Sequence, residues 1–172
     1  MSDRKVVISK ERIHAKVDEL AAQISADYKD KELVLIGVLN GAFIFLADLV
    51  RSVTIPHQID FIRVSSYGKS DTSSGTITLS KDVELNLTDK HVLLVEDIID
   101  TGTTLSWLKE CFANKQAASV RICTLIDKKE RRQSDVKVDY IGFPLEKGFL
   151  IGYGLDYAEQ YRYLPDVQTL LL

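Results

Sequence analysis

The stretch Val92 to Thr104, VLLVEDIIDTGTT, holds the residues best placed to do chemistry. Four apolar residues make a strand, and its carboxyl end carries Glu96 and Asp97 side by side. Asp100, Thr101, Gly102, Thr103 and Thr104 then lead into a helix. Gly102 lets the backbone approach an anion closely. The N–H groups at a helix start point outward, and the helix dipole favours negative charge there. Three threonine hydroxyls add donors. Glu96 and Asp97 would repel a phosphate lying on them, so they must face sugar hydroxyls or a divalent cation. A monophosphate at one end and a diol at the other describe a ribose 5-phosphate.

Other candidates are less specific on their own. Gly37 to Ala42, GVLNGA, ends an apolar run with small residues that can turn N–H groups onto an anion. It also reads as an ordinary strand-to-helix turn. Asp127 to Arg132, DKKERR, is a charge cluster of the kind that usually forms a solvated face. Asp156 and Arg162 in LDYAEQYR read as surface charges, and Phe149 in KGFLIGYGLDY as a core aromatic.

These residues need elements to position them. Ser9 caps a helical spacing of Ile13, Val17, Leu20, Ala21 and Ile24. Glu32 to Val38 is a nearly continuous apolar run, as in strands buried on both faces of a parallel sheet. Gly41 opens a second helix through Phe43, Phe45, Leu46, Leu49 and Val50. Ile59 to Val64 reads as a strand, and Ser65 to Ser74 as an exposed mobile loop. Thr76 to Leu79 and Val83 to Leu87 read as the two arms of a hairpin. A strand at Val92 to Val95, a helix at Thr103 to Phe112 and a strand at Val120 to Ile126 follow. Tyr140 to Phe143 and Phe149 to Tyr153 are two more short strands. The alternation predicts an α/β fold with a mostly parallel sheet, whose ligands bind beyond the carboxyl ends of the strands.

A chain of 172 residues suits one domain with its own core. The net charge of -3 argues against duplex nucleic acid as the main partner. Cys111 and Cys123 form no CxxC pair and read as reduced thiols of a cytoplasmic protein. The first ten residues have no apolar signal segment, and no run approaches the roughly 18 apolar residues of a membrane span. His14, His57 and His91 lack metal-ligand spacing and read as structural or surface residues. Neither a GxxxxGK[ST] loop nor a GxGxxG loop is present, which argues against P-loop and dinucleotide folds.

VLLVEDIIDTGTT resembles the phosphoribosyl pyrophosphate signature of the type I phosphoribosyltransferases. The similarity runs from about Ile8 to Leu164, and the downstream motifs look most like the bacterial hypoxanthine–guanine members. The resemblance implies one domain over residues 1–172, with a central sheet flanked by helices, a hood built from the N- and C-terminal segments, and a mobile lid. It implies transfer of phosphoribosyl from phosphoribosyl pyrophosphate to hypoxanthine or guanine, giving IMP or GMP and pyrophosphate, with Mg2+ as cofactor. A homodimer or homotetramer in the cytoplasm is implied too, with no nucleic-acid or membrane partner.

By the same resemblance Glu96 and Asp97 bind the ribose hydroxyls, and with Asp156 they hold the metal. Asp100 is the general acid/base near purine N7, and with Thr101, Gly102, Thr103 and Thr104 it forms the 5-phosphate site. Leu39, Asn40 and Gly41 match a pyrophosphate loop that often holds a non-proline cis peptide, and Arg162 pairs with pyrophosphate. Many relatives carry lysine or arginine where Asn40 stands, so a side-chain charge is missing there. Ser65, Ser66 and Tyr67 begin the lid. Lys128, with Lys129 as the adjacent alternative, donates to the purine O6, a contact that suits a carbonyl and opposes the amino group of adenine. Phe149 stacks on the purine and the backbone of Leu150 reads its edge. Arg132 or Arg131 matches an arginine near the phosphates, while Trp107, Tyr153 and Tyr157 match nothing and read as packing residues.

Overall fold

The computed structural model describes residues 3–67 and 76–171. Its elements are β1 (Arg4–Ile8), α1 (Lys10–Asp27), β2 (Leu33–Leu39), α2 (Phe43–Ser52), β3 (His57–Tyr67) and β4 (Thr76–Lys81), then β5 (His91–Ile99), α3 (Thr103–Ala113), β6 (Ser119–Lys128), β7 (Tyr140–Leu145), β8 (Leu150–Ile151) and β9 (Val167–Leu170). Six strands form one sheet in the order β4-β3-β2-β5-β6-β7. All neighbours in it are parallel except β4, which runs antiparallel to β3.

The apolar runs follow from burial on both faces. Leu33 and Leu35 of β2 and Leu93 and Val95 of β5 pack with α1 and α2. Their neighbours Val34, Ile36, Val92 and Leu94 pack with Leu105, Leu108 and Phe112 of α3 on the other face. A strand covered on both sides has no polar face to show, so the alternation of a half-buried strand is absent. The helix α1 starts where Ser9 accepts the N–H of Arg12, and its buried face is Ile13, Val17, Leu20, Ala21 and Ile24, as the spacing predicts.

Three expectations need correction. Val83 to Leu87 is not a strand, and Thr76–Lys81 pairs with β3 instead. The cause is Asp60, whose carboxylate accepts the N–H groups of Glu84 and Leu85 and so takes the donors that a hairpin arm would need. Ser65, Ser66 and Tyr67 are not loop residues. They extend β3 and pair with Thr78, Ile77 and Thr76, and the remainder of the expected lid lies outside the described residues. The strand expected over Phe149 to Tyr153 shortens to Leu150–Ile151, because the chain turns at Gly152, which has φ +94.

A second sheet, β1-β9-β8, is antiparallel throughout and had no counterpart among the predicted strands except β8. It pairs Arg4 with Leu170 and Leu150 with Thr169. Ile8, Leu150 and Val167 anchor it to the core on the α1 side. None of the helices among the described residues is long and apolar enough to cross a membrane.

Candidate active site

The carboxyl ends of β2 and β5 open on a common cleft. One lobe of about 330 Å³ is lined by Leu39 and Gly41 after β2, Glu96 and Asp97 of β5, Thr104, Asp156 and Arg162. Val64 and Ile77, from β3 and β4, wall it on the outer side. An adjoining lobe of about 170 Å³ shares Glu96 and Thr104 and is lined also by Asp100, Thr101 and Gly102.

The loop after β2 has a cis peptide bond between Leu39 and Asn40. Gly41 has no room for a side chain, because a Cβ there would sit 2.0 Å from Asp97 Oδ2. A Cβ on Gly154 would sit 2.2 Å from the Gly41 carbonyl oxygen. The loop is therefore wedged between a buried carboxylate and the turn that follows β8.

Asp97 Oδ1 accepts the N–H of Ile98, and the Asp97 N–H is donated to Glu96 Oε1. Burial first, and then the adjacent Asp97 carboxylate, push the Glu96 carboxyl well above the usual carboxylate range. Two carboxylates this close resist being ionised together, so the pair favours a cationic or hydrogen-bond-donating ligand that relieves the repulsion.

Gly102 has φ +81, and α3 starts there with no side-chain cap. The loop is braced from the segment after β6. Gln133 and Ser134 donate their N–H groups to the Thr101 carbonyl at 2.8 and 3.0 Å. Arg132 Nε donates to the Asp100 carbonyl at 3.0 Å, and its Nη2 pairs with the buried Asp127 carboxylate. The guanidinium of Arg132 thus holds the backbone of the loop.

Asp100 stands between the two ends of the cleft. Its Oδ2 lies 3.9 Å from Lys128 Nζ and 3.8 Å from an Arg131 nitrogen. Its Oδ1 is buried and has no partner among the described residues, the condition of an oxygen that awaits a donor. Lys128 is buried and donates to the Gly148 carbonyl at 3.1 Å, while Lys129 is exposed. Phe149, the next residue after Gly148, is 41% exposed and therefore not a core aromatic. Leu150 pairs with Thr169 in the second sheet. Arg162 donates to the Gly154 carbonyl at 2.7 Å and lies 3.4 Å from Asp156 and 3.2 Å from Glu159.

The side chains in the cleft that can ligate a cation, Glu96, Asp97, Asp100 and Asp156 with Thr101 and Thr104, offer only oxygen, a hard set that suits magnesium. No group of three or more His, Cys, Asp or Glu among the described residues forms a metal cage by itself. Magnesium commonly takes one or two carboxylates and completes its shell with water and substrate phosphates, so one or two of Glu96, Asp97 and Asp156 would suffice for it.

A family described as the phosphoribosyl transferase domain matches residues 8–158. The chain belongs to that family. It is 46% identical over 166 residues to the hypoxanthine-guanine phosphoribosyltransferase of Bacillus subtilis, covering 96% of this chain and 92% of the relative. It is 43% identical over 169 residues to the hypoxanthine phosphoribosyltransferase of Escherichia coli, covering 97% and 95%. Among solved structures, a hypoxanthine phosphoribosyltransferase from Staphylococcus aureus superposes with TM-score 0.94 at 40% identity, covering 97% of this chain and 91% of that one. A hypoxanthine-guanine phosphoribosyltransferase from Bacillus anthracis, with HEPES in its active site, gives 0.93 at 44%, covering 97% and 98%.

Three parts of this phosphoribosyltransferase escaped the sequence reading. Val64 and Ile77 wall the cleft, but nothing in an alternating strand marks one apolar residue as facing a ligand. Gly154 backs the Gly41 loop, and its only signal is the glycine spacing in IGYGLDY. Tyr157 was read as a packing residue, yet it is 43% exposed and stands edge-on to Phe149. Tyr153 and Trp107 do pack, Tyr153 buried with its hydroxyl on Asp48 and Trp107 against the α3-side core.

Proposed function

We propose that this phosphoribosyltransferase works in purine salvage, joining hypoxanthine or guanine to phosphoribosyl pyrophosphate to give IMP or GMP and pyrophosphate. The observation that carries the reading is the position of Asp100. Its Oδ1 is buried without a partner among the described residues, its Oδ2 lies 3.9 Å from Lys128 Nζ, and it lines a cleft lobe together with Glu96 and the α3 start.

In this reading the 5-phosphate lies on Thr101 to Thr104, where the N–H groups of the helix start, which Gly102 leaves without a side-chain cap, and the threonine hydroxyls donate to it. Glu96 and Asp97 take the ribose hydroxyls. Leu39 to Gly41 present backbone to the pyrophosphate, and Arg162 turns from its carboxylate partners toward it. Glu96, Asp97 and Asp156 are the carboxylates that would hold Mg2+, one or two to an ion, and the metal would supply charge neutralisation of the leaving pyrophosphate.

The bond from C1 of the ribose to the pyrophosphate oxygen breaks, and its electron pair leaves with pyrophosphate. Positive charge builds on the ribose ring, where the nearby carboxylates favour it. N9 of the base bonds to C1, and Asp100 holds or takes the proton at N7. Lys128 has only donors to offer, which suits a 6-oxo group and opposes a 6-amino group. Phe149 offers a face for stacking and the Leu150 backbone a polar edge. The reading takes the enzyme as a cytoplasmic homodimer or homotetramer, in keeping with its two free cysteines, Cys111 and Cys123.

The test is turnover of hypoxanthine, guanine, xanthine, adenine and uracil with phosphoribosyl pyrophosphate and magnesium, followed by ultraviolet absorbance. Conversion of hypoxanthine or guanine, abolished by a chelator and restored by magnesium, is expected. Preferred conversion of adenine or uracil would overturn the assignment of Lys128, and no turnover of any base would overturn the whole reading.

A further inference from the structure

Phe149 and Tyr157 are the only two exposed aromatic rings in contact among the described residues, at 41% and 43% exposure. Their centroids are 5.4 Å apart and their planes meet at 88°, an edge-to-face pair. Exposed rings gain little from each other by burial alone, so the geometry of the pair matters more than its area.

Tyr157 is also held firmly by its own chain. Its N–H and carbonyl exchange hydrogen bonds with Gln160 at 3.1 and 3.0 Å. The turn between them, Ala158 and Glu159, has φ +52 and +62. Both are left-handed conformations that residues with a Cβ adopt at a cost, and such turns usually recruit glycine or asparagine. Asp156 offsets the cost by accepting the Glu159 N–H at 3.0 Å. The same carboxylate lines the cleft. A strained turn kept by a site residue points to a purpose for what the turn displays. What it displays is the ring of Tyr157.

The Phe149 backbone is held at its carbonyl, which accepts the Leu170 N–H at 2.9 Å, but its ring is 41% exposed and Tyr157 is the aromatic neighbour that touches it. We propose that Tyr157 is a positioning residue for base recognition, acting through Phe149 by fixing that ring at the angle on which a purine stacks. The inference rests on the reading of Phe149 as the base platform. A free phenylalanine ring must give up rotamer freedom when the base arrives, and one already fixed does not.

The test is steady-state kinetics of the full-length enzyme carrying Tyr157→Ala, Tyr157→Phe, Phe149→Ala and the double alanine variant. Tyr157→Ala is expected to raise KM for the purine about three- to tenfold, the range of an aromatic pair. KM for phosphoribosyl pyrophosphate and kcat should stay within about twofold, a split that general loss of folding would not give. Tyr157→Phe keeps the ring edge and should restore the purine KM. In the double variant the Tyr157 effect should vanish, because the residue through which it acts is gone. If Tyr157→Ala leaves the purine KM unchanged while Phe149→Ala raises it, this inference fails and the platform stands. An equal Tyr157 effect with and without Phe149 also overturns it, since Tyr157 would then act independently. If Phe149→Ala itself leaves the purine KM unchanged, the platform reading falls and takes the inference with it.

Discussion

The sugar-phosphate end and the base end of the cleft are built in opposite ways. At the first, Glu96, Asp97, Asp100 and Thr101 to Thr104 come from one unbroken stretch of nine residues that runs from the end of β5 into the first turn of α3. The stretch is braced from behind by Arg132, Gln133 and Ser134. The base end draws Lys128 from the end of β6, Phe149 from before β8 and Tyr157 from a turn near the C-terminal strand. Its rings are exposed. A charged, fixed ligand half is met by preformed backbone donors, whereas a flat neutral base is met by surfaces that must be held at an angle. The difference teaches that the two ends should fail differently when altered, the first in sugar binding and the second in base choice.

The sharpest break comes where the two ends meet. Asp100→Asn should lower kcat by about 10² to 10⁴ while leaving both KM values near normal, in initial-rate assays of either base. An unchanged kcat would remove Asp100 from the proton transfer.

Next in size, Glu96→Ala should raise KM for phosphoribosyl pyrophosphate about ten- to hundredfold, the worth of hydrogen bonds to a charged group, and spare KM for the base. A shift in base KM alone would contradict the division between the ends. Lys128→Met is the mirror experiment. It should raise KM for hypoxanthine and guanine about tenfold and narrow the preference over adenine, with the sugar KM unmoved.

The smallest effect lies outside the cleft. Burial raises the Asp60 carboxyl, but the N–H groups of Leu85, Phe61 and Glu84, with Lys81, outweigh it and hold it below the usual carboxylate range. A carboxyl depressed in the folded state stabilises the fold above its unfolded pKa, and that contribution is lost as pH falls through the folded value. Asp60→Asn should therefore lower Tm by roughly 2–4 °C at pH 7, for about one hydrogen bond's worth of stability. The gap between variant and parent should close in strong acid. Calorimetry at pH 7 and pH 3 checks both, and neither end of the cleft should change its KM values.

The same contrast decides what could be read from residues alone. The sugar-phosphate end was legible because its chemistry is contiguous, and the apolar run before it has no rival explanation once both faces of the sheet are covered. The base end was legible only through resemblance, since Lys128 sits in a charge cluster and Phe149 in an apolar run. The sequence reading of Val83, Leu85 and Leu87 as a strand followed true alternation, but alternation reports side chains and not where the backbone donors go. Those donors go to Asp60, far away in sequence. β1 and β9 were missed for a related reason. Arg4 to Ile8 is mostly exposed, and its partner lies at the far end of the chain, so no local pattern announces it.

That pairing also orders events during synthesis. β5, α3 and β6 follow one another, so the sugar-phosphate end can assemble as soon as they leave the ribosome. β1 emerges first yet must wait for β9, and at about 5–20 residues per second that delay is on the order of ten seconds or more. β8 waits with it, because its partner is the same strand. The nascent chain therefore passes through a stage in which the β5–α3 loop that takes the 5-phosphate is formed, while Asp156, Arg162 and the surfaces that read the base are still to come.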